Sequence, residues 1–486
     1  MFAERYGPGF VLRCLVVSLL LSVVLLANAA TFTVTNANDS GPGSFRQALS
    51  DANNNAGVDT IEFNISGAPP FTINLASALP PVNETATIDG TTQPGFINKP
   101  VVVLNGTAAA SATGLTLNAV GTTVRGLVIR SFAKYGVEML GGGQHTIQTC
   151  FIGTDANGTT AQTNTLGGIY VCSSNNLIGG TGPITRNVIS GNSQAGVYLT
   201  GTTTRGNHIE GNFIGVDATG TNKLGNGFAG IWVTNAPLNF IGSASAGGGN
   251  VIADNFFQGI YIQGTGAISN AILGNLIGTD FTGTKALGNT NGHGVVIDQA
   301  PATLVGQAAS GVGNLISGNV VGILISGIGA SNCVVQGNLI GTDITGTSAL
   351  GNSGDGVAVM GAAGVLIGGT SAFARNVISG NGSFPLFRPG ISLSNSYAAT
   401  IQGNQIGTKS DGLGALGNFA HGIDLISATN TTIGGATATA GNVIANAVDP
   451  VRSGIRLRSG AGNIILGNSI YSNGRLAARQ KTLIPD

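Results

Sequence analysis

Gly211-Asn212-Phe213-Ile214-Gly215-Val216-Asp217 is a phrase that this chain repeats. It returns as Gly274-Asn275-Leu276-Ile277-Gly278-Thr279-Asp280 and as Gly337-Asn338-Leu339-Ile340-Gly341-Thr342-Asp343. A further copy, Gly403-Asn404-Gln405-Ile406-Gly407-Thr408-Lys409, ends in Lys, and a degenerate first copy is Thr149-Cys150-Phe151-Ile152-Gly153-Thr154-Asp155. The Ile-Gly pairs fall 62, 63, 63 and 66 residues apart. A fixed period of this length marks a repeat architecture.

A second phrase, Gly-apolar-x-apolar, runs through the same region. It begins at Gly136-Val137-Glu138-Met139, passes through Gly196-Val197-Tyr198-Leu199 and Gly322-Ile323-Leu324-Ile325, and ends at Gly454-Ile455-Arg456-Leu457. In the middle of the array its glycines are spaced 28, 34, 29, 35, 28 and 34 residues apart, so each unit of the longer period is one short coil plus one long coil. Short coils carry Asn-x-Ile-x-x-Asn, from Asn187 to Asn192 and again from Asn250, Asn314 and Asn376. Long coils carry the opening phrase and a loop closing at Asn226, Asn289, Asn352 or Asn418. Three short apolar strands per coil, separated by Gly and Asn, predict an all-β, right-handed, single-stranded parallel β-helix. Its aliphatic residues stack inward at ~4.8 Å per coil, and eleven rungs make a rod of ~50 Å. Gly and Asn are expected at corners that need positive φ, with stacked Asn side chains bonding to one another and to corner backbone. Helical solenoids need a 3.6-residue period that is absent here, and no propeller-blade signature appears.

Residues 1–29 read as a secretory signal peptide. Arg5 and Arg13 precede the apolar Leu15–Leu26 run, and Ala27-Asn28-Ala29 is a small-x-small cleavage site, so the mature chain is expected to begin at Ala30. Residues 30–125 are expected to form an N-terminal cap and the first coils. Ser44 is the expected N-cap of a short helix running to Ala52, with Gln47 at the capping-box position. The repeat array is assigned to 126–472 and a C-terminal tail to 473–486. No later stretch is long and apolar enough for a membrane span. Cys14 leaves with the signal; Cys150, Cys172 and Cys333 remain and are read as mostly buried free thiols, with a Cys150–Cys172 disulfide as the alternative. Charged residues make up only 8 % of the chain, 20 basic against 20 acidic, so no basic stripe for nucleic acid is present.

The Asn-Val-Ile-Ser-Gly-Asn and Gly-Asn-x-Ile-Gly-Thr-Asp phrases, with the Ser44-Phe45-Arg46-Gln47-Ala48-Leu49 opening, resemble secreted bacterial right-handed parallel β-helix repeat proteins of the pectate-lyase-like superfold. That group contains polysaccharide lyases, hydrolases and epimerases as well as adhesins and structural surface proteins, so the resemblance implies fold and export and leaves activity open.

Function is therefore sought where the repeats differ. Strand alternation points the middle residue of Gly-apolar-x-apolar outward. Down the rod this stripe reads Glu138, Tyr170, Tyr198, Trp232, Tyr261, Val296, Leu324, Ala358, Ser392, Asp424, Arg456. Tyr170, Tyr198, Trp232 and Tyr261 form an aromatic ladder suited to a sugar ring or another protein, against the plainer reading that aromatics favour strand surfaces. Asp424 and Arg456, near His421, Arg388, Arg452 and Arg458, are the candidates for catalysis. In β-helix lyases a carboxylate or metal neutralises an acidic sugar and a basic residue removes the proton; the alternative here is a cross-strand ion pair worth under ~1 kcal/mol. Gly292-His293-Gly294 resembles the Gly-His-Gly of β-helix polygalacturonases, but that family's Asp-Asp pair and Arg-Ile-Lys are both missing. The recurring Asp155, Asp217, Asp280 and Asp343 lie two coils apart, too far to share a metal, and are read as Asx-turn residues opening a loop. No cofactor or metal is expected. The leading expectation is an exported, non-enzymatic surface or extracellular protein that binds polysaccharide or cell-surface glycan, or acts as an adhesin or rod. The alternative is a polysaccharide lyase or related carbohydrate-active enzyme.

Overall fold

A computed structural model describes residues 28–474 and a short strand at Ala478–Arg479. The leader expected at 1–29 lies, apart from its last two residues, outside the described residues, as does most of the 473–486 tail. The chain winds through three long parallel sheets of 15, 14 and 13 strands, visited in turn once per coil. This is the parallel β-helix that the repeat predicts. The 15-stranded sheet is called the first, the 14-stranded sheet the second, and the 13-stranded sheet, which carries the Gly-apolar-x-apolar strands, the third.

Register explains why Ile recurs at fixed positions. In the first sheet Ile147, Ile178, Ile209, Ile241 and Ile272 pair rung upon rung. In the second, Ile152, Ile189, Ile214, Ile252 and Ile277 do the same. All ten are fully buried. Each therefore brings the ~1.5–3 kcal/mol of a buried aliphatic side chain, and a one-residue slip would turn a whole strand inside out.

Asn ladders hold the corners. Between the first and second sheets the chain of side-chain bonds runs Asn187, Asn212, Asn250, Asn275, Asn314, Asn338, Asn376, Asn404, Asn442 and Asn468, each Nδ2 donating to the next Oδ1 at 2.8–3.0 Å. Each Oδ1 also accepts the backbone N–H of the preceding rung, as Asn314 does from Asn275 at 3.0 Å. A second ladder, from Asn164 through Asn226 and Asn319 to Asn418, lines the corner between the second and third sheets. The ladder asparagines are not at positive φ; that role falls to the neighbouring glycines. Gly215 has φ +81, and a Cβ there would lie 2.0 Å from the Ala253 carbonyl oxygen. The asparagines recur because a buried corner leaves backbone N–H and C=O groups without partners, and the carboxamide supplies both complements.

The N-terminal region joins the same sheets. Strands Thr31–Val34, Asp59–Phe63 and Ala86–Asp89 pair in order at the start of the first sheet. Helix α1 (Phe45–Asn54) packs on the first two of them and buries Phe45, Ala48, Leu49 and Ala52 in the core. Ser44 caps it, accepting from Gln47 N at 3.2 Å, but Gln47 turns its own side chain to Asp51 at 2.7 Å, leaving the capping box half formed.

The long-coil loops fold over the outer face of the second sheet. Outward-pointing Phe151, Val188, Phe213 and Val251 are buried beneath them with Val216 and Leu287, in a second apolar cluster outside the barrel of the helix. Every acidic residue of the opening phrase closes its own loop. Asp155, Asp217, Asp280 and Asp343 each accept two backbone N–H groups four and five residues on, at 2.8–3.2 Å. Burial works against the Asp217 carboxylate, but the bonds from Asn222, Thr219 and Thr221 hold it below its ordinary pKa. In the Lys409 loop Asp411 does the same work, accepting from Leu413 and Gly414. The loops also bond to each other across two coils: Phe281 N donates to Gly220 O at 3.0 Å, Ile344 N to Gly283 O at 3.0 Å, and Ser410 N to Gly346 O at 2.9 Å. Cys150, Cys172 and Cys333 are free; Cys172 is partly exposed, and burial pushes the Cys150 thiol up to about 12 and Cys333 to about 11.

Candidate functional site

Strands Gly167–Val171, Val197–Thr200, Ile231–Thr234 and Ile260–Gln263 lie side by side in the third sheet. Their register brings Tyr170, Tyr198, Trp232 and Tyr261 into one column. The Tyr198 and Trp232 rings stack at 4.2 Å and 15°, Trp232 and Tyr261 are parallel within 5° at 6.4 Å, and Tyr170 is tilted on Tyr198 at 5.5 Å. All four rings are partly exposed.

The wall is larger than the sequence indicates. Tyr135 stacks on Tyr170 at 4.8 Å, although it stands at the strand's first residue, three residues before the stripe position Glu138. Phe228, from the turn before Ile231, meets the Trp232 ring edge-on at 5.0 Å, and Phe257 meets Phe228 at 5.6 Å. These turn residues precede the strand glycine, where alternation gives no direction. Their only sequence signal is an aromatic side chain two residues before the strand glycine. The Trp232 Nε1 hydrogen is buried without an acceptor among the described residues. At one end of the wall stands Glu138, in register with Tyr170; at the other the Tyr261 hydroxyl donates to Asp298 Oδ2 at 3.3 Å. Burial and the Asp298 charge together raise the Tyr261 phenol.

Further down, burial along the stripe is uneven, with Leu324 and Ser392 partly exposed. Val296 and Ala358 are buried although their position faces outward. Asp424 is buried too, its side chain 5 % exposed, and the arginines enclose it: Arg456 Nε reaches Oδ1 at 2.8 Å, Arg456 Nη2 reaches Oδ2, and Arg458 Nη2 reaches Oδ2 at 3.1 Å. Burial would raise this carboxyl, but the bond and charge of Arg456, then Arg458, keep it below its usual range. The structure therefore brings the two catalytic candidates together as a bidentate pair in which the carboxylate is buried and the guanidinium is partly exposed.

Asp355 is the neighbour that the sequence reading passed over. It occupies the residue before the strand glycine, the same position as His293 and His421. One oxygen accepts from Ser392 Oγ at 2.7 Å and the other has no partner among the described residues. Burial raises its carboxyl, partly offset by Ser392 and Arg388. His421 Nδ1 lies 3.0 Å from Ser453 N and 3.3 Å from Ser453 O, and Nε2 has no partner among the described residues. Burial, then the Arg456 charge, pushes this imidazole down to about 4.

Two enlarged turns flank His421. The chain takes nine residues from Asn381 to Gly390 and seven from Ala447 to Gly454, against four from Asn192 to Gly196. Phe387 of the first turn packs on Phe419 at 5.4 Å, and Arg452 of the second lies over Phe387 at 5.2 Å. His293 is separated from His421 by three intervening strands, so the two histidines share nothing. Among the described residues no three His, Cys, Asp or Glu side chains are gathered closely enough to hold a metal ion, and no helix is long and apolar enough to cross a membrane.

No family model matches the sequence, and no curated protein does. Solved structures are similar in outline. A polysaccharide lyase of family 6 from Pseudopedobacter saltans is 15 % identical with a TM-score of 0.46, over 91 % of this chain and 93 % of that one. A variant of a periplasmic alginate epimerase is 11 % identical with a TM-score of 0.43, over 84 % and 79 %. The Dettilon tailspike protein is 15 % identical with a TM-score of 0.43, over 95 % and 70 %. Similarity at this level carries no argument about activity.

Proposed function

We propose that this protein is exported and holds a polysaccharide chain lengthwise along its third sheet, with Tyr170, Tyr198, Trp232 and Tyr261 as the binding rings. The observation that carries the reading is the continuous, partly exposed ring stack from Tyr135 to Tyr261, five rungs or ~19 Å along the rod. A polymer of sugar rings offers repeated apolar faces, and stacked aromatic residues offer repeated flat partners with polar rims. Rigid rings on strands also lose little entropy on binding. The activity so described is adhesive or structural binding without chemistry. Affinity electrophoresis of the mature protein against a panel of neutral and acidic polysaccharides tests it: retardation by at least one glycan, lost in Trp232→Ala and Tyr261→Ala variants of unchanged fold, is the expected result. Retardation unchanged in both variants removes the wall from the function.

A specific observation favours a second reading, a polysaccharide lyase or related carbohydrate-active enzyme. Asp355, in the turn before strand Val357–Met360, is raised, while Asp424, on the strand two places further along the sheet, is lowered. Carboxyls pushed in opposite directions are the raw material of acid–base chemistry. In this reading Asp355 and neutral His421 handle protons, and the Asp424–Arg456 pair orients them. The measurement is the appearance of unsaturated sugar product that disappears in Asp355→Asn. Binding with no product in the wild type leaves the first reading alone.

A further inference from the structure

The charge pattern around the wall narrows what it takes. Two carboxylates border the rings, Glu138 at one end and Asp298 at the other, and both are partly exposed. Neither is in an ion pair among the described residues, where every acidic partner is some other residue. The third-sheet strands from Gly167 to Asp298 contain no Lys or Arg at all. Lys134 stands in the turn before Tyr135, beside the wall's first strand. The arginines of this sheet lie instead at the far end, where Asp424 engages Arg456 and Arg458. Aromatic faces add to the sign, since a ring's π-face is the negative pole of its quadrupole. A sugar carboxylate or sulfate laid along the rings from Tyr170 to Tyr261 would give up water and meet ring faces and the Glu138 and Asp298 carboxylates, with Lys134 the basic neighbour only at the Tyr135 end.

Resting on the binding reading above, we infer that the wall selects polysaccharides without acidic groups: a neutral glycan, not a polyuronate. Sugar C–H faces stack on the rings, and the Glu138 and Asp298 carboxylates accept hydrogen bonds from sugar hydroxyls. The same carboxylates exclude acidic chains, which places specificity in two side chains outside the stack itself.

The test separates charge from backbone. A soluble neutral glucan is compared with the same glucan oxidised at its primary alcohols to the polyuronate, at low and at physiological salt. The expected result is neutral binding that is at least about tenfold tighter than binding of the oxidised polymer at low salt. The gap should narrow at higher salt, and it should narrow in Glu138→Gln/Asp298→Asn, whose rings are untouched. Equal or tighter binding of the oxidised polymer, still abolished by Trp232→Ala, overturns the neutral selectivity while leaving the wall as the binding face. Binding of either polymer that ignores Trp232→Ala overturns the wall, and this inference with it. A double variant that leaves the ratio unchanged overturns the role given to the two carboxylates.

Discussion

Asp424 and Arg456 face each other in register on adjacent strands, joined by two hydrogen bonds, with the carboxylate buried beneath its partner. A buried carboxylate owes its charged state to its partners, and removing one partner costs more than the pair contributes.

Arg456→Ala should therefore destabilise the protein by about 3 kcal/mol, with Arg458 left as the sole partner. Asp424→Asn, which leaves the partly exposed arginines able to reach water, should cost clearly less. Urea midpoints of the two variants at neutral pH check the order.

Asn314 sits in the middle of the longest Asn ladder. Its Oδ1 accepts from both nitrogens of Asn275, and its Nδ2 donates to Ile272 O and Asn338 Oδ1. Asn314→Ala leaves the buried Asn275 N–H without its acceptor, while Asn275 Nδ2 keeps Ile241 O and Leu273 O, and it also takes a donor from Ile272 O and Asn338 Oδ1; it should cost about 3 kcal/mol. Ile214→Val, a pure volume change in the core, should cost about 1 kcal/mol. The same denaturant assay compares them.

His421 gives the fold an acid sensitivity. Its imidazole sits at about 4 in the folded protein against 6.5 unfolded. The unfolded chain takes up the proton first, so this contribution is complete above pH 6.5 and is lost as pH falls toward 4. Its full size is about 3 kcal/mol. The slope of stability against pH across that window should flatten in His421→Gln.

Asp343 should act locally. Asp343→Ala frees the Thr347 and Ser348 amides, so their hydrogen exchange should accelerate well before global unfolding. Bonds from Ser348, Thr345 and Thr347 outweigh burial and hold this carboxyl low. The wild-type loop should therefore stay protected until pH falls below the usual carboxylate range.

Much of this was legible in the sequence, because a solenoid writes its register as spacing. The inward Ile columns, the two-coil period and the Tyr170-to-Tyr261 column all follow from counting. Alternation gives the direction of a side chain but not what lies above it. Asp424 points outward and is still buried, and Phe213 points outward into a second apolar cluster under the loops. Phe228, Phe257 and Asp355 lie in turns, where no period assigns a face. The enlarged turns at 382–389 and 447–453 were visible as broken spacing, but their packing through Phe387, Phe419 and Arg452 is a tertiary fact.

The bonding of each long-coil loop to the loop two coils away has a consequence for how such a chain can change length. Loss of one coil would set a loop against a short corner and strand its amide. Loss of two, as in joining Ile214 directly to Gly278, keeps every loop facing a loop and every Asn facing an Asn. Rods of this design can lengthen or shorten by duplication and deletion, but their quantum is the pair of coils.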